Sequence, residues 1–218
     1  MKVELIPALE IPAPPESRKK VGSRPAKSFV QNPDAWDKFQ QKQLAAAGFN
    51  DYSRIIRGKN FVYVDEWTLV DLKNLILTHL MPNDVLVVVE KSCAFFGGYI
   101  LIVDDVPVMV PQCCSTLADI TSWQDLLNPE FTSGPFCMEG HPCPTAVKEG
   151  NKLLITCEDE WESFDQPTQQ SIIVEVDKLA VAVEQASWTI QKLCAKIDLL
   201  SAEFGVPMLS NYLIFAKS

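Results

Sequence analysis

Histidine is nearly missing from this chain. Among 218 residues there are two, His79 and His141. Thiol and general-base chemistry lean on histidine, so cysteine catalysis would have to use one of these two. His141 lies near Cys137 and Cys143 in sequence. His79 falls near the end of a predicted helix, where it suits a surface or capping role. Glycine is also sparse: nine residues, with Gly97-Gly98 the only adjacent pair. That pair precedes a strand-like run, where it marks a turn or bulge. No phosphate loop or dinucleotide fingerprint can be assembled, and no cofactor is expected. No run of about 18 apolar residues occurs, so no membrane-spanning helix is predicted. The opening Met-Lys-Val-Glu-Leu-Ile-Pro lacks the charged segment and long apolar stretch of a signal peptide. The expectation is a cytoplasmic protein. No internal repeat is found.

What is present begins with acidity. The net charge is −9. Residues 1–30 carry six Lys/Arg and three Asp/Glu, whereas the remainder carries 13 and 25. An acidic body disfavours nucleic acid, whose binding rests on positive charge. It suits a basic protein partner steered by charge. Solubility alone is the plainer explanation of the same charge.

Residues 1–31 form a predicted extended basic arm. Lys2 to Ile6 could make a short strand, followed by Pro7, Pro12, Pro14 and Pro15 and a run of like charges through Lys27. Residues 32–218 are predicted to form a single domain. Asn32 and Pro33 start a helix that stops at Gly48. Phe61–Val64 is a strand candidate, and Asp65 is expected to cap a helix with Leu69, Leu72, Ile76 and Leu80 at helical spacing. Pro82-Asn83-Asp84 reads as a turn and Val85–Val89 as a strand. Tyr99–Val103 and Val106–Val110 flank Asp104-Asp105 as a hairpin, with Pro107 pointing to an edge strand. Ala118–Leu127 is a predicted short helix, and 128–144 a loop. A second hairpin runs from Ala146 to Cys157, and Ser171–Val176 is a further strand. The longest helix begins near Asp177 and ends before Gly205, with Leu179, Val183, Ser187, Ile190, Cys194, Ile197, Ser201 and Phe204 on one face. Tyr212–Phe215 is a possible last strand. Strands cluster between helices without regular alternation. This predicts an α+β fold with a mostly antiparallel sheet and one long C-terminal helix.

Two constellations could carry function. Cys113, Cys114, Cys137, His141 and Cys143 supply five possible zinc ligands. Their spacing matches none of the usual zinc knuckles, and adjacent cysteines in a strand point to opposite faces. Seven irregularly spaced cysteines in a chain this long read as reduced, mostly buried thiols. Metal ligation is therefore not expected. The second constellation is Glu158-Asp159-Glu160-Trp161-Glu162-Ser163-Phe164-Asp165. It lacks a calcium-loop pattern and reads as a negative patch with Trp161 and Phe164 as aromatic anchors. A solvated loop with Trp161 tucked into the core is the competing reading. Asp104 and Asp105 are secondary partner-binding candidates, although turns favour Asp for backbone reasons.

The runs Gly97–Val103, Pro111–Cys114 and Leu117–Ile120, with Trp123 and Gly140–Pro142, resemble bacterial immunity-type proteins encoded beside polymorphic or contact-dependent toxins. The resemblance spans about residues 85–200. It implies a non-enzymatic cytoplasmic inhibitor that occludes a basic toxin domain. Glu158, Asp159, Glu160, Trp161, Glu162 and Asp165 would then contact the partner, and the protein would be a monomer or homodimer. The alternative is a zinc- or thiol-dependent enzyme, or a metal-stabilised domain, built on the five Cys/His positions. A third possibility is an assembly protein that dimerises through the long helix.

Overall fold

The computed structural model describes residues 1–11, 21–49, 52–81, 87–136 and 140–216. Among them are eight strands in two antiparallel sheets and six α-helices, an α+β fold. The chain divides into two compact units. The first comprises Met1–Pro7 with Phe96–Ile190, the second Ala8–Phe95 with Gln191–Ser218. Strand β1 (Val3–Glu10) begins in the first unit and ends in the second.

In the first unit, β3 (Gly97–Val103) and β4 (Val106–Met109) form the expected hairpin. Its two-residue turn puts Asp104 at φ 48° and Asp105 at φ 65°. Positive φ at both central residues matches the right-handed strand twist, and Asp tolerates it better than most residues. The Lys2 backbone N–H donates to Asp104 Oδ1 at 2.7 Å, and Lys2 Nζ reaches Asp105 at 2.8 Å. Pro107 lies in β4, the edge strand of its sheet, where a missing N–H costs no ladder bond. A 3-10 turn (Leu117–Asp119) leads into α3 (Ile120–Asp125).

The second sheet is β5 (Ser133–Pro135), β6 (Thr145–Glu149), β7 (Lys152–Thr156) and β8 (Ser171–Glu175), in that order. Strand β5 falls within the segment expected to be loop. Its pairing with β6 supplies the backbone partners that a Pro/Gly-rich run could not advertise by periodicity. Strict alternation in β6–β8 buries Ala146, Leu153, Ile155, Ile172 and Val174 on one face. Helix α4 (Val176–Asp198) follows at once, with Leu179, Val183, Ala186 and Ile190 buried in this unit.

In the second unit the end of β1 pairs with β2 (Phe61–Tyr63) through Ala8–Glu10. Ala8, Leu9 and Ile11 are buried, so this part of the N-terminal segment contributes core. Residues 12–20, which hold the basic run Arg18–Lys20, lie outside the described residues. Helix α1 (Pro33–Ala46) starts as expected: Asn32 Oδ1 accepts the Ala35 N–H. Helix α2 (Leu69–Leu80) is capped by Thr68 rather than Asp65. The Thr68 hydroxyl accepts the Asp71 N–H at 3.1 Å, the usual cap geometry, and Asp65 is three residues too early to make it. The predicted turn at 82–84 and residues 85–86 of the predicted strand Val85–Val89 also fall outside the described residues, and Val87 and Val88 are not in a strand. Val89 itself opens a 3-10 turn (Val89–Lys91).

The end of α4, α5 (Ser201–Phe204) and α6 (Leu209–Leu213) complete this unit. The expected last strand is instead the end of a helical turn. Leu209, Leu213 and Ile214 are buried at helical spacing. Ser210 is fixed by Asp198, which accepts its N–H at 2.8 Å and its hydroxyl at 2.9 Å. That tether decides a short apolar run whose periodicity was ambiguous.

Candidate functional site

The two functional constellations lie in the first unit, and one side chain connects them. After β4 the chain makes a tight turn over Gln112–Ser115, closed by the Ser115 N–H donating to the Gln112 carbonyl at 3.1 Å. Cys113 and Cys114 are its central residues, and Cys114 takes φ 65°. Positive φ at the third turn residue is ordinary for Gly or Asn and strained for Cys. Its consequence is geometric. The two side chains no longer point to opposite faces as they would in a strand, and their Sγ atoms stand 3.5 Å apart. This corrects the expectation from strand alternation.

His141 joins them from the next loop. Its N–H donates to the Cys113 carbonyl at 3.0 Å, a single bridge of antiparallel type. The Sγ atoms of Cys113 and Cys114 and a ring nitrogen of His141 all lie within 4.8 Å of one another, and all three residues are exposed. Glu162 reaches in from the acidic loop, with Oε2 2.6 Å from His141 Nδ1.

The turn is held from beneath. Buried Gln112 donates to the Val110 carbonyl at 2.6 Å and to the Thr168 hydroxyl at 3.2 Å, and its Oε1 accepts the Asp165 N–H at 2.7 Å. One amide side chain thus binds the cysteine turn to the acidic loop. Ser115 packs against Gly140 so closely that a Cβ there would sit 2.3 Å from the Ser115 hydroxyl. A side chain at position 140 would displace that hydroxyl, which accepts the Gln112 N–H at 3.2 Å.

Among the described residues the remaining predicted ligand, Cys143, is not part of this group. Cys143 is disulfide-bonded, so the expectation of uniformly reduced cysteines does not hold. Cys137 lies outside the described residues. Cys157 is buried, and burial pushes its thiol up to about 12. Cys194 is likewise pushed up to about 11 by burial. Both are inert at neutral pH. Cys93 sits near the other histidine, its Sγ 3.9 Å from His79 Nε2. That nitrogen is also 2.8 Å from the Cys93 backbone carbonyl. A carbonyl only accepts, so Nε2 carries its proton there and is not a base for the thiol. Burial holds the His79 imidazolium below the usual histidine range.

The acidic loop follows β7. Asp159 is used locally: its Oδ1 accepts the N–H groups of Trp161 at 2.8 Å and Glu162 at 3.0 Å, an Asx turn that shapes the loop tip. Glu158 accepts from the Gln170 side chain. Phe164 is buried and is core, not an anchor, whereas Trp161 is 89 % exposed. Glu158, Asp159, Glu160 and Glu162 are among the residues that line an open cleft of about 680 Å³. Asp165 and the Asp104–Asp105 turn do not line this cleft, and Asp104 and Asp105 hold Lys2. Ser115 and Thr168 do not figure in the sequence reading, and Gln112 and Gly140 figure in it only within the runs that carry the family resemblance.

Among the described residues no helix is long and apolar enough to cross a membrane. The chain matches no protein-family model, no curated protein and no solved structure.

Proposed function

We propose that this protein is a non-enzymatic binding module of the immunity type, acting in the cytoplasm, which occludes a basic protein partner with the loop 158–165. The observation that carries the reading is Trp161. An indole 89 % exposed on a loop tip fixed by Asp159 has no structural use there, because it buries almost nothing. Large aromatics contribute most of their binding energy when a partner covers them. The carboxylates of Glu158, Glu160 and Glu162 beside it favour a basic surface. Asp159 shapes the loop and contributes to binding through Trp161.

The test is calorimetric titration against the product of a toxin-like reading frame adjacent to this one. Binding should weaken at least about tenfold between 50 and 300 mM salt, because exposed charges are screened beyond a Debye length of roughly 8 Å at physiological ionic strength. Trp161→Ala should cost about 2 kcal/mol or more of affinity. Binding indifferent to both salt and Trp161→Ala would contradict the reading.

A further inference from the structure

We infer that Cys113, Cys114 and His141 form a binding site for a thiophilic divalent cation, zinc foremost, with Glu162 orienting the histidine. The donor set selects the ion. Two thiolates and an imidazole suit zinc and disfavour calcium or magnesium, which take oxygen ligands. With Zn–S bonds of about 2.3 Å, two sulfurs on a tetrahedral ion stand roughly 3.8 Å apart. The observed 3.5 Å needs little adjustment. The strained Cys114 backbone is what brings two consecutive cysteines to one side.

Glu162 supports the assignment independently. A carboxylate accepts, so Nδ1 of His141 bears the proton and the lone pair is on Nε2. A carboxylate holding one imidazole nitrogen while the other faces a metal is the usual outer arrangement of zinc sites. The neighbouring carboxylates of the loop add attraction for a cation. Three protein ligands leave a fourth position for water or for a group from outside the chain. Binding converts two thiols to thiolates and releases two protons, so affinity should rise with pH.

The site does not depend on the partner-binding proposal, since Trp161→Ala leaves every ligand in place. The experiment uses the full chain, handled anaerobically without reductant so that the Cys143 disulfide is kept, with alkylation confirming that Cys113 and Cys114 are thiols. Cobalt(II) is the optical probe, and zinc affinity is read by competition with a chromogenic chelator. One equivalent of cobalt should give a sulfur-to-cobalt charge-transfer band and tetrahedral d–d bands, both removed by one equivalent of zinc. Cys113→Ser and Cys114→Ser should each weaken the charge-transfer band, and the double variant should abolish it. Cys93→Ser should leave it unchanged. Glu162→Gln should keep the cobalt spectrum and the stoichiometry yet raise the zinc Kd about 10- to 100-fold. Equal thermal stability of Glu162→Gln and the parent would assign that loss to positioning rather than folding. No charge-transfer band at one equivalent, or a band that survives in the double cysteine variant, would overturn the site.

Discussion

His141 and His79 each lie beside a cysteine, one in each unit, and their surroundings differ in two respects. His141 is exposed, and its Nδ1 meets the Glu162 carboxylate at 2.6 Å. His79 is half-buried, its Nε2 meets the Cys93 carbonyl at 2.8 Å, and its ring stands edge-on to Phe95 at 4.8 Å between centroids. A carboxylate holds the proton on Nδ1 and leaves the far nitrogen's lone pair for a metal. Burial keeps the His79 ring neutral, and its one N–H is spent on the Cys93 carbonyl. Residue type and proximity to a thiol are therefore shared by both, and the second contact of the ring separates a ligand from a packing residue.

Truncating both rings is the strongest way to break this comparison. His79→Ala removes an N–H from the Cys93 carbonyl and an aromatic edge contact, and should destabilise the protein by about 2 kcal/mol in denaturant unfolding. His141→Ala, on the surface, should stay within about 0.5 kcal/mol. Equal losses would erase the distinction.

Acidification sharpens the same contrast with a smaller effect. Because burial depresses the folded-state pKa of His79, the unfolded chain binds more protons between that value and about 6.5. The neutral ring's contribution to stability is complete above about pH 6.5 and is lost as pH falls through the folded pKa. His79→Gln should flatten the stability profile in that window, and His141→Gln should leave the His79 component of the slope in place. Urea midpoints measured from pH 7.5 to pH 5 check both.

Much of the fold was legible because its signals are local. The Asn32-Pro33 start of α1, the Asp104-Asp105 turn and the alternation of β6–β8 each lie within a few residues, and all appear as expected. The cap of α2 is Thr68, three residues beyond the expected Asp65, and Tyr212–Leu213 are helical where a strand was expected. Residue types at the candidate site were visible, but its geometry was not. Cys113 and Cys114 share a face only because Cys114 adopts positive φ, which nothing in its side chain announces. Glu162 reaches His141 across 21 residues of sequence, and Gln112 reaches Thr168 across 56. Such contacts are fixed by tertiary packing, which also buried Phe164 and left Trp161 in solvent.

The central claim is that one histidine is built to hold a metal and the other is not. Because the chain has only two, long-range proton–nitrogen correlation of the imidazole rings reads both directly. Before zinc, His141 should show the Nδ1–H tautomer and His79 the Nε2–H tautomer. On one equivalent of zinc, the Nε2 resonance of His141 should shift while both nitrogens of His79 stay fixed. A response at His79, or none at either ring, would contradict the account.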